Sequence, residues 1–232
     1  MVALVLLPGM DGTGQLFSDF IAALGSELDV IAVSYPPNEA LDYAQLELIA
    51  RSRLPLNQPL VLLAESFSGP IAISITASAP PGLCGLILCC SFARNPRPGL
   101  AVLKFLVSML PIRKVSLTVL SRVLFGRFSS ARLCSALVAA LAPVSSAALR
   151  ARLRAVLTID VTHQMREVHV PVLYLQAMED RLVPRGAFRL ISQLIPGARI
   201  AELEAPHFLL QAAPAAAARH VKAFVQEVAH EF

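Results

Sequence analysis

Four short runs dominated by apolar residues, ALVLLPG (3–9), DVIAVSYPP (29–37), PLVLLAES (59–66) and CGLILCCSF (84–92), alternate with helical patterns over the first ninety residues. A strand with one wet face alternates apolar and polar side chains. A run that stays apolar throughout marks a strand covered on both faces, as in a parallel sheet with helices above and below it. Between the runs, Leu16, Phe17, Phe20, Ile21 and Leu24 fall at helical spacing over 16–25, and Asp42 stands where it can cap a helix carrying Leu46, Ile49 and Ala50. Strand and helix in alternation imply βαβ units with right-handed crossovers.

After Phe92 the strands stop. Residues 93–168 have a helical pattern throughout, with prolines and serines separating expected helices near 99–110, 115–125, 129–142 and 146–158. A buried strand returns in VPVLYLQAMED (170–180), followed by a helix over 185–195, a strand in ARIAELEAP (198–206) and an alanine-rich helix over 212–230. The helical block thus interrupts one α/β domain: residues 1–92 and 169–232 form the core, and 93–168 an insertion. At 232 residues the chain suits that single, interrupted domain better than a tandem of two.

Composition narrows the classes further. With 56% hydrophobic and 16% charged residues the chain is too apolar for global disorder. The stretch Leu133 to Leu149 carries no charge but contains Pro143 and three serines, and is short of the ~20 residues of a membrane span. MVALVLLPGM has no basic segment before its apolar run and meets Pro8-Gly9 early, so it is expected to be a strand and not a signal peptide, which places the chain in the cytoplasm. Cys84, Cys89, Cys90 and Cys134 lack metal-ligand spacing and are expected as reduced core thiols, with the adjacent Cys89 and Cys90 on opposite strand faces. No metal or organic cofactor is expected.

Charge divides as the pattern does. Residues 93–168 hold twelve Arg and Lys against Asp160 and Glu167, a formal balance of +10, which leaves the rest of the chain at −6 and the whole at +4. Two readings stay open: the solvated faces of amphipathic helices, or a docking surface for an anionic partner such as an acidic carrier protein, a phosphorylated acyl donor or an anionic lipid surface. The scarcity of aromatics among these basic residues argues against nucleic acid.

The chemistry-bearing stretch is LVLLAESFSGPIAIS (60–74). A strand that passes into a helix through small-x-Ser-x-small is a nucleophile elbow, which lifts the serine above the strand's carboxyl end and needs small neighbours so that strand and helix can approach. Ala64 and Ser68, followed by Gly69, are the small positions, so Ser66 is the candidate nucleophile. Ser68 is the poorer choice, because Pro70 would then occupy the position that must turn freely. Glu65 lines the site or holds the turn. A serine hydroxyl needs a base and a group that orients the base. Asp180, after the strand VLYLQAM, and His207, in EAPHFLLQAAP before the last helix, both fall at the carboxyl ends of strands; Glu179 and Asp160 are the competing acids. LLPGMDGTGQLF (6–17) supplies a glycine-rich turn after the first strand, where the Met10 N–H can join that of Phe67 as an oxyanion hole. It lacks the GK[ST] of a phosphate loop and the full GxGxxG of a dinucleotide site.

Together these residues resemble the α/β-hydrolase superfamily over essentially the whole chain, and are most similar to small esterases, lipases and thioesterases with a helical cap. Ala64 and Ser68 replace the glycines of GxSxG, and Pro8-Gly9 replaces the common His-Gly of the oxyanion loop. The resemblance implies a mostly parallel sheet of about six strands flanked by helices, shortened because the chain starts on the usual third strand, with 93–168 as a lid. It implies Ser66, Asp180 and His207 as catalytic residues, Met10 and Phe67 as oxyanion donors, and Gly9, Glu65 and Phe208 at the substrate. The implied activity is hydrolysis of carboxylic esters with short to medium acyl chains. The alternative is a carrier-protein or coenzyme A ester or thioester hydrolase, similar to enzymes that demethylate pimeloyl carrier protein, docking through Arg150, Arg152, Arg154 and their basic neighbours. An acyltransferase and a non-catalytic binding scaffold are further alternatives, and membrane-surface contact is left open.

Overall fold

The computed structural model describes residues 2–107 and 116–231. Six strands, β1 (Ala3–Leu7), β2 (Asp29–Ala32), β3 (Leu60–Glu65), β4 (Leu83–Cys89), β5 (Val172–Ala177) and β6 (Arg199–Leu203), form one sheet in the order β2-β1-β3-β4-β5-β6. Every pairing is parallel.

Alternate side chains of the central strands feed two separate apolar layers, the geometric consequence of a two-residue repeat. Leu4, Leu6, Val61, Leu63 and Ile87 pack with α1 (Ser18–Leu24) and the last helix (Pro214–Glu231) through Phe20, Leu24, Phe224 and Val225. Val5, Leu7, Leu62, Ala64 and Leu88 pack on the other face with α2 (Tyr43–Arg51), α3 (Gly69–Ala77), α7 (Thr162–Arg166) and α8 (Gly186–Leu194) through Leu46, Ile73, Met165 and Ile191. Burial on both faces explains why β1, β3, β4 and β5 carry no internal polar stripe. The expectation of two-sided burial fails at β2, whose residues are exposed or half-buried. It is an edge strand with β1 as its one neighbour, and the buried residues of that run, Val33 and Tyr35, lie beyond its end. Asp42 does cap α2, accepting from the Gln45 N–H at 2.9 Å while Gln45 Oε1 accepts from the Asp42 N–H at 3.0 Å.

Between β4 and β5 come a 3-10 segment (Pro98–Phe105), α4 (Leu117–Leu124), α5 (Ala131–Leu141), α6 (Ser146–Thr158) and α7. The helix expected over 99–110 is thus 3-10 where it is described; with Val102 and Phe105 exposed it lacks the buried stripe that sustains a longer α-helix. Residues 108–115, on which that helix and the next partly fall, lie outside the described residues. No single helix among the described residues is long and apolar enough to cross a membrane. Cys89 and Cys90 do not take opposite faces: β4 ends at Cys89, Cys90 turns to φ 47°, and both thiols join the same buried cluster.

Candidate active site

β3 ends at Glu65, and the chain turns at Ser66 into a 3-10 turn (Ser66–Ser68) that runs on into α3. Ser66 has φ 47°, a left-handed conformation that costs a side-chain-bearing residue about 1–2 kcal/mol. Neighbouring groups hold it there. The Ser91 hydroxyl donates to the Ser66 carbonyl at 2.6 Å, and the Tyr174 hydroxyl donates to the Ser91 carbonyl at 2.7 Å. The Tyr43 hydroxyl donates to the Phe67 carbonyl at 2.9 Å while its ring stacks on Phe67 at 4.8 Å. Strain fixed in this way directs the side chain out of the strand's plane.

The Ser66 hydroxyl lies 2.8 Å from His207 Nε2, and His207 Nδ1 lies 2.8 Å from Asp180 Oδ2. The second carboxylate oxygen, Oδ1, accepts the backbone N–H groups of Leu182 and Val183 at 2.8 and 2.9 Å, so the carboxylate is fixed by its own loop. Both competing acids are engaged elsewhere: Glu179 pairs with Arg127, and Asp160 accepts the Thr162 N–H and hydroxyl. Ser68 is fully buried; its hydroxyl lies 2.9 Å from the Tyr35 hydroxyl and donates to the Pro8 carbonyl. Ser66, Asp180 and His207 follow β3, β5 and β6, so parallel strands deliver all three to one edge of the sheet, where open α/β sheets place their ligands.

The loop after β1 reaches the same edge. Gly12, at φ 69°, returns the chain so that its N–H donates to the Gly9 carbonyl at 3.0 Å, and Asp11 Oδ2 accepts from the Thr13 N–H at 2.9 Å. Met10 is half-buried on this turn. Glu65 is 5% exposed, its carboxylate set against Gly9, Asp11, Gln211 and His207. Burial first, and the charge of Asp11 second, push its pKa up to about 7, against the hydrogen bonds from Gln211 and the Gly9 N–H and the attraction of His207. A β-carbon on Gly9 would stand 3.6 Å from Glu65 Oε2. Phe208 meets the insertion, its ring edge-on to Phe125 at 5.1 Å beside Leu124 and Leu137.

Cys90 Sγ, an Asp180 oxygen and a His207 ring nitrogen lie within 4.8 Å of one another, a donor set of the kind that holds soft divalent metals. The imidazole and carboxylate of that set are hydrogen-bonded to each other, and the cysteine is buried as a thiol whose pKa burial raises. Among the basic residues expected at a docking face, Arg152 is corrected by its burial: it is 2% exposed, because its guanidinium is enclosed by backbone carbonyls of the core. Tyr35, Tyr43, Ser91 and Arg152 carry no local motif that would have pointed to them. Each reaches the site by tertiary folding from 23 or more residues away from the elbow.

An all-parallel sheet with a strained serine after one strand, and an acid and a histidine after two later strands, defines an α/β-hydrolase. A family model described as serine aminopeptidase, S33, matches residues 41–207, and the chain belongs to this family of α/β-hydrolases. The match spans the elbow, the insertion, Asp180 and His207. No curated protein matches by sequence. Among solved structures, the enol-lactonase from Burkholderia xenovorans LB400 superimposes with a TM-score of 0.83 at 17% identity, covering 97% of this chain and 91% of its own. An esterase from Exiguobacterium antarcticum gives 0.82 at 17%, covering 97% and 92%. A structure from a study of carboxylesterases of Nitrososphaera gargenis gives 0.83 at 15%, covering 100% and 92%. At such identities the likeness is one of fold.

Proposed function

We propose that the protein is a serine hydrolase of carboxylic esters that works through an acyl-enzyme on Ser66. The observation that carries this is the continuous chain of two 2.8 Å contacts from the Ser66 hydroxyl through His207 to Asp180. In the mechanism, Ser66 Oγ attacks the acyl carbon as its proton passes to His207 Nε2. Asp180 holds Nδ1–H, fixes the tautomer and stabilises the imidazolium. The carbonyl electrons move onto oxygen, which the N–H groups of Met10 and Phe67 receive. Collapse expels the alcohol, protonated by His207. Water activated by the same imidazole then releases the acid. The insertion acts as a cap, and its apolar side chains line the acyl pocket with Phe208 at their junction.

A fluorophosphonate probe tests the chemistry: it should label the wild type and leave Ser66→Ala unlabelled, and an unlabelled, folded wild type would end the esterase reading. p-Nitrophenyl esters of increasing acyl length, set beside aminoacyl p-nitroanilides, then separate an esterase from an aminopeptidase.

A second reading, in which the basic insertion docks an acidic acyl carrier, is favoured by the +10 balance of residues 93–168. Several of these charges serve the protein itself: Arg127 pairs with Glu179 and Glu204, Arg132 with Asp19, and Arg152 is buried. If docking operates, hydrolysis of a carrier-bound ester falls with added salt while that of the free ester does not.

A further inference from the structure

Arg152 sits on α6 of the basic insertion, yet it has left solvent. Its Nη1 donates to the Met10 carbonyl at 3.0 Å and to the Asp11 carbonyl at 2.7 Å, and its Nη2 donates to the Pro36 carbonyl at 3.1 Å. Its guanidinium lies 6.0 Å from the centre of the Tyr35 ring, whose hydroxyl pairs with Ser68 behind the elbow. A β-carbon on Gly12 would stand 2.5 Å from Nη1, so this glycine admits the guanidinium as well as making the turn. The Asp11 carboxylate, bonded to Thr13, offsets the charge without bonding the guanidinium directly.

These bonds bear on one N–H. Peptide units are planar and trans, so a carbonyl held in one direction aims the N–H of the same unit in the opposite one. The unit that ends in the Met10 N–H begins with the Gly9 carbonyl, which the Gly12 N–H holds from inside the turn. The next unit begins with the Met10 carbonyl, which Arg152 holds. The Gly12 N–H in turn belongs to the unit that begins with the Asp11 carbonyl, which Arg152 holds at 2.7 Å, so the guanidinium acts on the Met10 N–H through two linked peptide planes, Asp11–Gly12 and Gly9–Met10, and fixes the Met10 carbonyl besides. Five donors in a rigid fork suit a guanidinium to this task, since they can reach several carbonyls at once; a lysine would offer a point charge.

We propose that Arg152 is a positioning residue that aims the Met10 N–H at the developing oxyanion and so makes the oxyanion hole depend on the insertion being seated on the core. This rests on the reading of Met10 as an oxyanion donor. Displacing α6 by one turn would remove the donors from three carbonyls, so closure of the cap and assembly of the hole are one event.

The test compares wild type, Arg152→Lys and Arg152→Ala with a p-nitrophenyl ester and with the trifluoromethyl ketone of the same acyl chain. The ketone accepts Ser66 Oγ at its carbonyl carbon, places the electron pair on oxygen as an alkoxide, and sends the serine proton to His207. It therefore reads the oxyanion hole without turnover. In Arg152→Ala, kcat and ketone affinity should fall together by about 10- to 100-fold with KM within about threefold, the pattern of a contact felt in the transition state. Guanidinium ion at a non-denaturing concentration should restore part of both in Arg152→Ala and in no other form. Should Arg152→Ala fail to fold, Arg152→Lys, which keeps the stem and the charge, carries the same comparison. Unchanged ketone affinity in a folded variant, or a loss confined to KM, would overturn the proposal. A wild type that neither hydrolyses the ester nor binds the ketone would instead overturn the esterase reading, before any variant is compared.

Discussion

Gly69 faces Ser91 so closely that a β-carbon at Gly69 would overlap the Ser91 hydroxyl, the same hydroxyl that donates at 2.6 Å to the carbonyl of Ser66. The steric demand of the elbow therefore falls on the third residue after the serine, while Ser68, the small residue of the motif, serves as a hydrogen-bonding link to Pro8 and Tyr35.

Gly69→Ala should destabilise the protein by about 1–3 kcal/mol through overpacking and lower kcat by roughly tenfold or more by shifting the elbow. Adding Ser91→Gly should recover part of the stability, because the clash needs both side chains. Thermal unfolding of the two single variants and the double variant reads the coupling; strict additivity would show that the two residues do not meet.

Ser66→Gly and Ser66→Ala should both be inactive, yet the glycine variant should be the more stable by about 1 kcal/mol. Both lose the hydroxyl, so the comparison isolates the left-handed backbone at φ 47°, which glycine adopts freely. Equal denaturation midpoints would mean that the elbow stores no strain.

Asp180→Asn should lower kcat by roughly a thousand- to ten-thousand-fold, since an amide in place of the carboxylate no longer stabilises the imidazolium or its tautomer. Its side-chain oxygen can still accept the N–H groups of Leu182 and Val183, so folding should be preserved. Asp180→Ala should lose both, and its melting temperature should drop below that of Asp180→Asn. Kinetics with calorimetry distinguishes the two roles.

Glu65 makes stability depend on pH. Its folded pKa of about 7 exceeds its ordinary value of 4.5, so between these values the folded protein keeps a proton that the unfolded chain releases. Stability from this group is therefore full below about pH 4.5, declines as pH rises to about 7, and is level above. Glu65→Gln, neutral in both states, should remove that slope and exceed the wild type at pH 8 by up to about 3 kcal/mol. Urea unfolding across pH 4 to 8 measures it; parallel curves for wild type and variant would place the titration on another group.

Much of the sheet was legible because β1, β3, β4 and β5 are buried on both faces and their runs stay apolar until Glu65 and Gln176 near the ends of β3 and β5. β2 misled because an apolar run says nothing of whether a neighbour covers its outer edge. The 3-10 course of Pro98–Phe105 was hidden for a related reason: helical spacing records which residues could form a stripe and not whether anything packs against it. Cys90 shows the limit within a single strand, since the two-residue alternation ends where φ turns positive, and the sequence does not mark that point.

The sequence by itself determined which residues stand at strand ends. Ser66 and Asp180 each follow an apolar run and His207 a strand of mixed polar and apolar residues, and parallel order brings the carboxyl ends of all three strands to one edge. Only the tertiary structure decided what surrounds them. Arg152 belongs, by charge and position, to a basic surface, yet three carbonyls from the β1 and β2 loops enclose it. The reason is that strand and helix periodicity are local properties of a chain, whereas the burial of a cation depends on acceptors supplied from more than a hundred residues away.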